Sequence, residues 1–96
     1  MNTILQTSVF RAWLAGLKDT KAKAAILVRI DRAALGNFGD HEPVGEGVFE
    51  MRVHSGPGYR VYYARRGKMV YVFLCGGVKR TQKADIKRAK ELARTV

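Results

Sequence analysis

The sequence is poor in cysteine, in long apolar runs and, over its second half, in acidic residues. Its one cysteine, Cys75, excludes an internal disulfide and a zinc site built from cysteines, and this favours a reducing compartment such as the cytoplasm. The longest strongly apolar run, VYVFLC, is far shorter than a membrane-spanning helix, and the first residues lack the charged segment of a secretion signal. We therefore expect a cytoplasmic protein with no metal site, no cofactor and no membrane contact.

The scarcity of acidic residues begins after Met51. Residues 52–96 contain twelve Lys/Arg against only Asp85 and Glu91, whereas residues 1–51 contain six basic and six acidic residues, so the net charge of +10 arises entirely in the second half. Tyrosines and phenylalanines lie among these cations. Such a mixture is typical of proteins that neutralise phosphates and stack on bases. The pattern favours an anionic partner.

Length and periodicity predict one α+β domain over residues 1–96. The first elements are a short strand at Thr3–Gln6 and a helix with Ser8 as its N-cap. A second helix, capped by Asp19 or Thr20, completes a helical hairpin. Its apolar stripe consists of Ala22, Ile26, Ile30 and Ala33, and Gly36 ends it.

The second half of the chain predicts strands. Residues 37–47, rich in glycine and acidic residues, predict a loop. Three alternating segments follow, GVFEMRV, GYRVYYARR and KMVYVFLCG, and they predict a three-stranded antiparallel meander with a two-residue turn at Arg66-Gly67. A C-terminal helix then starts at Thr81, with a basic outer surface. The glycines of Gly76-Gly77 indicate a tight turn more than a phosphate-binding loop, because no GxxxxGK[ST] motif accompanies them.

The turns also predict a strand register. They place Phe49 opposite Tyr63 and Arg52 opposite Arg60 in the first hairpin. In the second hairpin they place Tyr63, Val61 and Tyr59 opposite Val70, Val72 and Leu74. One face is then apolar on all three strands and receives the helices. The other face carries Glu50, Arg52, Arg60, Tyr62, Tyr71 and Phe73.

Arg52 and Arg60 are the strongest site candidates on that second face. Like charges placed directly opposite destabilise a sheet by up to roughly 1 kcal/mol, so the pair indicates either a bound anion or Glu50 as a local counterion. We favour the anion, because Glu50 offsets only one charge while Lys79 and Arg80 add more. The alternative is that exposed arginines only keep the sheet soluble. Further candidates for contact with a nucleic acid are Tyr62 and Tyr71, which would stack on bases, and Arg80, Gln82, Lys83 and His54.

Almost the whole chain resembles one family. The run VGEGVFEMRVHSGPGYRVYYARRG, followed by VYVFLCGGVKRTQKADIKRAKELA, resembles the RelE/ParE superfamily of bacterial type II toxins, specifically the HigB-like addiction-module killer proteins. The resemblance implies a compact RelE-like domain. It also implies RNA cleavage, because the ribosome-associated members of this superfamily cut mRNA. It also implies a cognate antitoxin, plausibly with a helix-turn-helix domain. By the match of motifs, Arg52, Arg60 and Lys79 are the implied catalytic residues, with Gln82 as a weaker companion.

Metal-free RNA cleavage would proceed by attack of a ribose 2′-OH on the adjacent phosphate. The reaction needs a proton acceptor, cations that stabilise the added charge and a proton donor. Arginine stays protonated, so Arg52 and Arg60 would bind the charged phosphate. Lys79 is the candidate base, with His54 and Glu50 as alternatives.

The sequence leaves two other function classes open. The chain lacks the terminal Tyr or His of several RelE-type nucleases, which leaves the general acid unassigned. A ParE-like inhibitor of DNA gyrase without nuclease activity therefore stays an alternative. A non-catalytic nucleic-acid-binding domain is the third possibility, since all three classes use cations.

Overall fold

A computed structural model describes all 96 residues and contains five strands and three helices. In chain order the elements are β1 (Thr3–Gln6), α1 (Ser8–Ala15), α2 (Thr20–Ala34), β2 (His41–Gly45), β3 (Val48–Val53), β4 (Tyr59–Arg65), β5 (Val70–Val78) and α3 (Gln82–Ala93). A single 3₁₀ turn, Lys79–Thr81, joins β5 to α3. No helix combines the length and the apolar character needed to cross a membrane. The predicted α+β class is confirmed.

The strands form one mixed sheet in the order β1-β5-β4-β3-β2. Strands β2 to β5 are antiparallel to their neighbours, and β1 pairs in parallel with β5. The predicted meander is therefore present, but β2 extends it within the segment predicted as a loop. That prediction was wrong because β2 is an exposed edge strand containing Pro43, and Pro is tolerated where a strand is paired on one side only.

The register is as predicted in the first hairpin and different in the second. Phe49 pairs with Tyr63, and Arg52 pairs with Arg60. Between β4 and β5, however, Tyr63 lies opposite Phe73 and not opposite Val70. Two local features cause this shift. The hairpin loop is four residues long, 66–69, and a bulge interrupts the ladder after Tyr62.

Helices cover both faces of the sheet, whereas the sequence placed helices on the apolar face only. Helices α1 and α2 pack on the first face around Phe10, Ile26 and Phe73. Helix α3 packs on the second face, where Tyr62 and Leu74 are buried. The amphipathic character of α3 explains this position, since its apolar stripe must be removed from water. The stripe residues that contact the sheet core are Ile86, Ala89, Leu92 and Ala93.

The helix ends follow ordinary capping chemistry. The N-cap of α1 is Thr7 rather than Ser8, and its hydroxyl accepts a hydrogen bond from the backbone N–H of Phe10. Asp19 caps α2 as predicted. The predicted stripe of α2 is fully buried. Thr81 occupies the N-cap position of α3 as predicted, but its side chain makes no capping hydrogen bond, because its hydroxyl donates to Oδ2 of Asp85.

The Gly76-Gly77 pair lies inside β5 and forms no turn, contrary to the prediction. A Cβ at Gly76 would overlap the indole of Trp13, and one at Gly77 would overlap the carboxylate of Asp85. The two glycines therefore allow α1 and α3 to approach the backbone of β5 from opposite sides.

Replacing Gly76 with Ala should lower the free energy of unfolding by about 1–3 kcal/mol, since the added methyl must displace the packed indole of Trp13. Urea denaturation followed by circular dichroism measures the change. Gly67→Ala is the matched control, because the nearest atoms to its new methyl lie 3.8 Å away. Equal stability losses in the two variants would contradict this account of Gly76.

Candidate functional site

The candidate site lies where β3 and β4 pass beneath the start of α3. Arg52 and Arg60 are direct partners across these strands, as the sequence predicts. Alternation along the strands places Glu50 and Tyr62 on the same face. The two arginines differ in exposure, with 24% of the Arg52 side chain and 12% of the Arg60 side chain accessible.

A buried carboxylate organises this site. The Glu50 side chain is 1% exposed, and its Oε1 accepts a hydrogen bond of 2.7 Å from Nε2 of Gln82. Nε of Arg60 lies 3.2 Å from the same oxygen, and Nη1 of Arg52 lies 3.5 Å from Oε2. The hydroxyl of Tyr62 donates to Oε1 over 3.4 Å. Glu50 therefore connects β3, β4 and the first residue of α3.

The hydrogen bonding of this cluster is incomplete. Oε2 of Glu50 and Nε of Arg60 are both buried without a hydrogen-bond partner, although Nε is close to Oε1. Charge attraction, more than directed hydrogen bonding, thus holds Arg60 against Glu50. No group of the chain accepts a hydrogen bond from either terminal nitrogen of Arg60. These two nitrogens stay free to bind an anion bidentately.

Arg52 is much more fully engaged. Its Nε and Nη2 donate to Oδ1 of Asp40 over 3.2 and 3.0 Å, and its Nη1 donates to Oε1 of Glu42 over 2.7 Å. The hydrogen bonds to Glu42 and Asp40 raise the pKa of Arg52. Three carboxylates therefore surround the arginine pair, counting Glu50. The close pairing of Arg52 and Arg60 is thus balanced within the chain by more than Glu50, and it does not by itself indicate a bound anion.

Asp40 also binds His54. Nε2 of His54 lies 2.7 Å from Oδ2 of Asp40, and the imidazole is 75% exposed. Hydrogen bonds from Arg52 and His54 lower the pKa of Asp40 to about 2. Arg29 on α2 holds this loop in place, since it donates to the carbonyls of Phe38, Asp40 and Arg52. The result is an exposed imidazole oriented by a carboxylate, the arrangement of a general base or acid.

Lys79 lies beside Arg60. Its backbone N–H donates to the carbonyl of Gly58, and a Cβ at Gly58 would lie 3.8 Å from Cβ of Lys79 and 4.0 Å from Nη1 of Arg60. Lys79, Arg80 and Lys83 are exposed, and no carboxylate pairs with any of them. The start of α3 therefore presents a group of unpaired cations next to Arg60.

The aromatic candidates do not lie where the sequence predicts. Tyr62 is fully buried beneath α3, and burial raises the pKa of its hydroxyl, so it cannot stack on a base. Tyr71 is half-buried on the opposite face, against Phe38 and Tyr63. The side-chain amide of Gln82 donates to the buried carboxylate of Glu50. The changed register explains why Tyr71 lies on the opposite face, and the position of α3 explains why Tyr62 is buried.

Three functional residues were missed by sequence reasoning. Asp40 and Glu42 lie in a segment predicted as a loop, and Arg29 lies on a helix whose basic residues had no assigned role. The only signal for the acids was their clustering ahead of β3 in a chain whose second half is short of acidic residues. Nothing local predicted Arg29.

Comparisons with known proteins identify one family and one similar protein. Residues 12–96 match the sequence model of the family described as "Phage derived protein Gp49-like (DUF891)". An uncharacterized protein of Haemophilus influenzae is 49% identical over 90 residues, which cover 94% of this chain and 91% of that protein. The matched residues contain the whole of the candidate site.

Removing the Glu50 carboxylate should destabilise the fold strongly. Glu50→Ala leaves the Arg60 guanidinium beside an empty, buried position, and the expected loss is about 3–5 kcal/mol of unfolding free energy. Glu42→Ala removes a different, exposed partner of the same arginine pair and should cost clearly less. Urea denaturation measures both. Similar losses would contradict the central position of Glu50.

Asp40 should make the protein sensitive to acid. Because its pKa is about 2 in the folded protein and near 3.8 when unfolded, the unfolded chain binds the proton first. This stabilisation is complete above about pH 4 and is lost as the pH falls through about 2. Asp40→Asn should therefore flatten the fall in unfolding free energy between pH 4 and pH 2. Urea denaturation at a series of pH values in low salt tests this, and an unchanged slope would contradict it.

Proposed function

The chain belongs to the Gp49-like family of phage-derived proteins, a toxin-like family typical of toxin–antitoxin modules, and from this premise we propose that it is a toxin that cuts mRNA. The proposal places the chain in the RelE/ParE superfamily, specifically among the HigB-like proteins. Cleavage would take place on the ribosome and arrest translation. The partner implied by such a family is an antitoxin, and we propose one with a helix-turn-helix domain and an acidic contact surface.

The observation that carries this proposal is the state of Arg60. Its Nε lies against the buried carboxylate of Glu50, while its terminal nitrogens have no partner in the chain. Unpaired Lys79 adjoins it. A fixed guanidinium with a free edge, next to further unpaired cations, suits a phosphodiester whose charge increases in the transition state.

The reaction can be written with residues of this site. The ribose 2′-oxygen forms a bond to the adjacent phosphorus, and the bond from phosphorus to the 5′-oxygen breaks. His54 takes the 2′ proton, and the ammonium of Lys79 supplies a proton to the 5′-oxygen. Arg60 binds the non-bridging oxygens. The products are a cyclic 2′,3′-phosphate and a free 5′-OH.

The structure supports a different division of roles from the one expected for the two arginines. Arg52 is occupied by Asp40 and Glu42, so we assign it to positioning Asp40, which in turn orients His54. Glu50 is too buried to touch RNA and therefore positions Arg60 instead of acting as a base. His54 is preferred as the base because it is exposed and oriented.

Replacing Arg60 should abolish activity. In cells induced to make the protein, wild type should halt protein synthesis and create mRNA fragments with 5′-OH ends, while Arg60→Ala should cut at least about 100-fold more slowly. His54→Gln should also lose most cleavage. Arg32→Ala, an exposed arginine on α2, is the matched control and should behave like wild type. Mapping of RNA 5′ ends measures the outcome.

Folding and target are checked in the same experiment. Thermal unfolding of each purified variant shows whether Arg60→Ala still folds, and Arg60→Lys keeps the charge facing Glu50 if it does not. Full activity of folded Arg60→Ala would overturn the proposed mechanism. Intact transcripts together with broken chromosomes would instead indicate the gyrase-inhibitor alternative.

A further inference from the structure

A basic groove runs along α3 and starts at the edge of the site described above. Its volume is about 410 Å³, and it lies between α3 and the turn that joins β2 to β3. Seven residues line it, namely Glu46, Lys83, Ile86, Lys87, Lys90, Glu91 and Arg94. Four of them are cations.

The cations form a single row. Lys83, Lys87, Lys90 and Arg94 are spaced by four, three and four residues, which places them on one side of the helix. The row extends for about 16 Å along the axis, given a rise of 1.5 Å per residue. A row of this kind can contact several successive phosphates of one strand.

The row begins at the candidate site. Lys83 follows Gln82, whose amide binds Glu50, and Glu50 in turn holds Arg60. Lys79 and Arg80 occupy the turn just before the helix. Unpaired cations thus continue without a break from Arg60 onto the outer side of α3.

The groove is too polar for the centre of a protein interface. Of its lining residues only Ile86 is hydrophobic, whereas interface cores are apolar and depleted of charge. Interfaces with nucleic acids are more polar and strongly basic. Resting on the proposed function, we propose that single-stranded RNA leaves the Arg60 site along this groove, with its phosphates bound by the row of cations on α3.

Glu46 divides the groove into two parts. Its carboxylate lies 2.9 Å from Nη2 of Arg94 and 3.6 Å from Nζ of Lys90, and the hydrogen bond from Arg94 lowers its pKa. No acid pairs with Lys83 or Lys87. The part of the groove nearer Arg60 is therefore open to phosphate, and at the far end RNA competes with Glu46.

The test uses RNA that cannot be cleaved. Binding of a fluorescein-labelled 2′-O-methyl uridine decamer is measured by fluorescence anisotropy over a range of salt concentrations, which keeps the result independent of catalysis. The groove variant combines Lys83→Gln, Lys87→Gln and Lys90→Gln. Its matched control, with the same change in charge, combines Lys18→Gln, Lys21→Gln and Lys23→Gln around the start of α2.

The groove variant should weaken decamer binding and reduce the slope of log K against log salt by about 2, since each lost phosphate contact contributes about 0.7 for a single strand. The control should change the slope much less. For a trinucleotide, too short to extend from Arg60 along the helix, the two variants should differ much less than they do for the decamer. Equal effects of the two variants on the decamer would overturn the proposal.

Glu46→Asn should change the affinity for the decamer in the opposite direction. Glu46 has a positive φ of 54°, which Asn tolerates, so the variant removes the charge without straining the turn. It should tighten decamer binding and leave the trinucleotide unaffected.

A decaglutamate peptide is the alternative probe. If it binds more tightly than the decamer, and the groove variant removes that binding alone, the groove serves an acidic protein partner and the proposal is wrong. Absence of cleavage by the wild type, together with the expected decamer binding, would contradict only the nuclease function.

Discussion

The buried carboxylate of Glu50 is the interaction on which the candidate site depends. A buried charge costs free energy unless nearby groups compensate it. Three elements compensate the charge of Glu50, namely β3 through Arg52, β4 through Arg60 and α3 through Gln82. Two orphaned polar atoms remain, so the cluster is held mainly by charge. The orientation of Arg60 therefore requires α3 to be docked. A site that forms only in the complete fold is consistent with a protein whose activity must be controlled.

The distribution of acidic residues decides which cations are available. Net charge alone suggests that the whole second half of the chain attracts anions. However, Arg52 is neutralised by Asp40 and Glu42, and Arg94 is paired with Glu46. No carboxylate pairs with Lys79 and Arg80 beside Arg60, or with Lys83 and Lys87 on the first turns of α3. The positions of the acidic residues thus leave these cations available to an anion.

Local patterns predicted the parts of the fold that local chemistry determines. The stripe of α2, the cap at Asp19 and the pairing of Arg52 with Arg60 follow from periodicity and from one turn. The second hairpin was misplaced because a bulge and a longer loop leave no clear signal in the sequence. The partners of Arg52 could not be predicted from local patterns. Asp40 precedes it by twelve residues, just before β2, and reaches Arg52 only because β2 pairs with β3. Burial of Tyr62 depends on the position of α3, which no local pattern specifies.

The pairing of β1 with β5 has a consequence for the order of events during synthesis. Thr3 and Val70 are neighbours in the sheet, so the first strand has no partner until most of the polypeptide has been translated. Contacts between such distant residues also form slowly. The five-stranded sheet is therefore completed only late in translation.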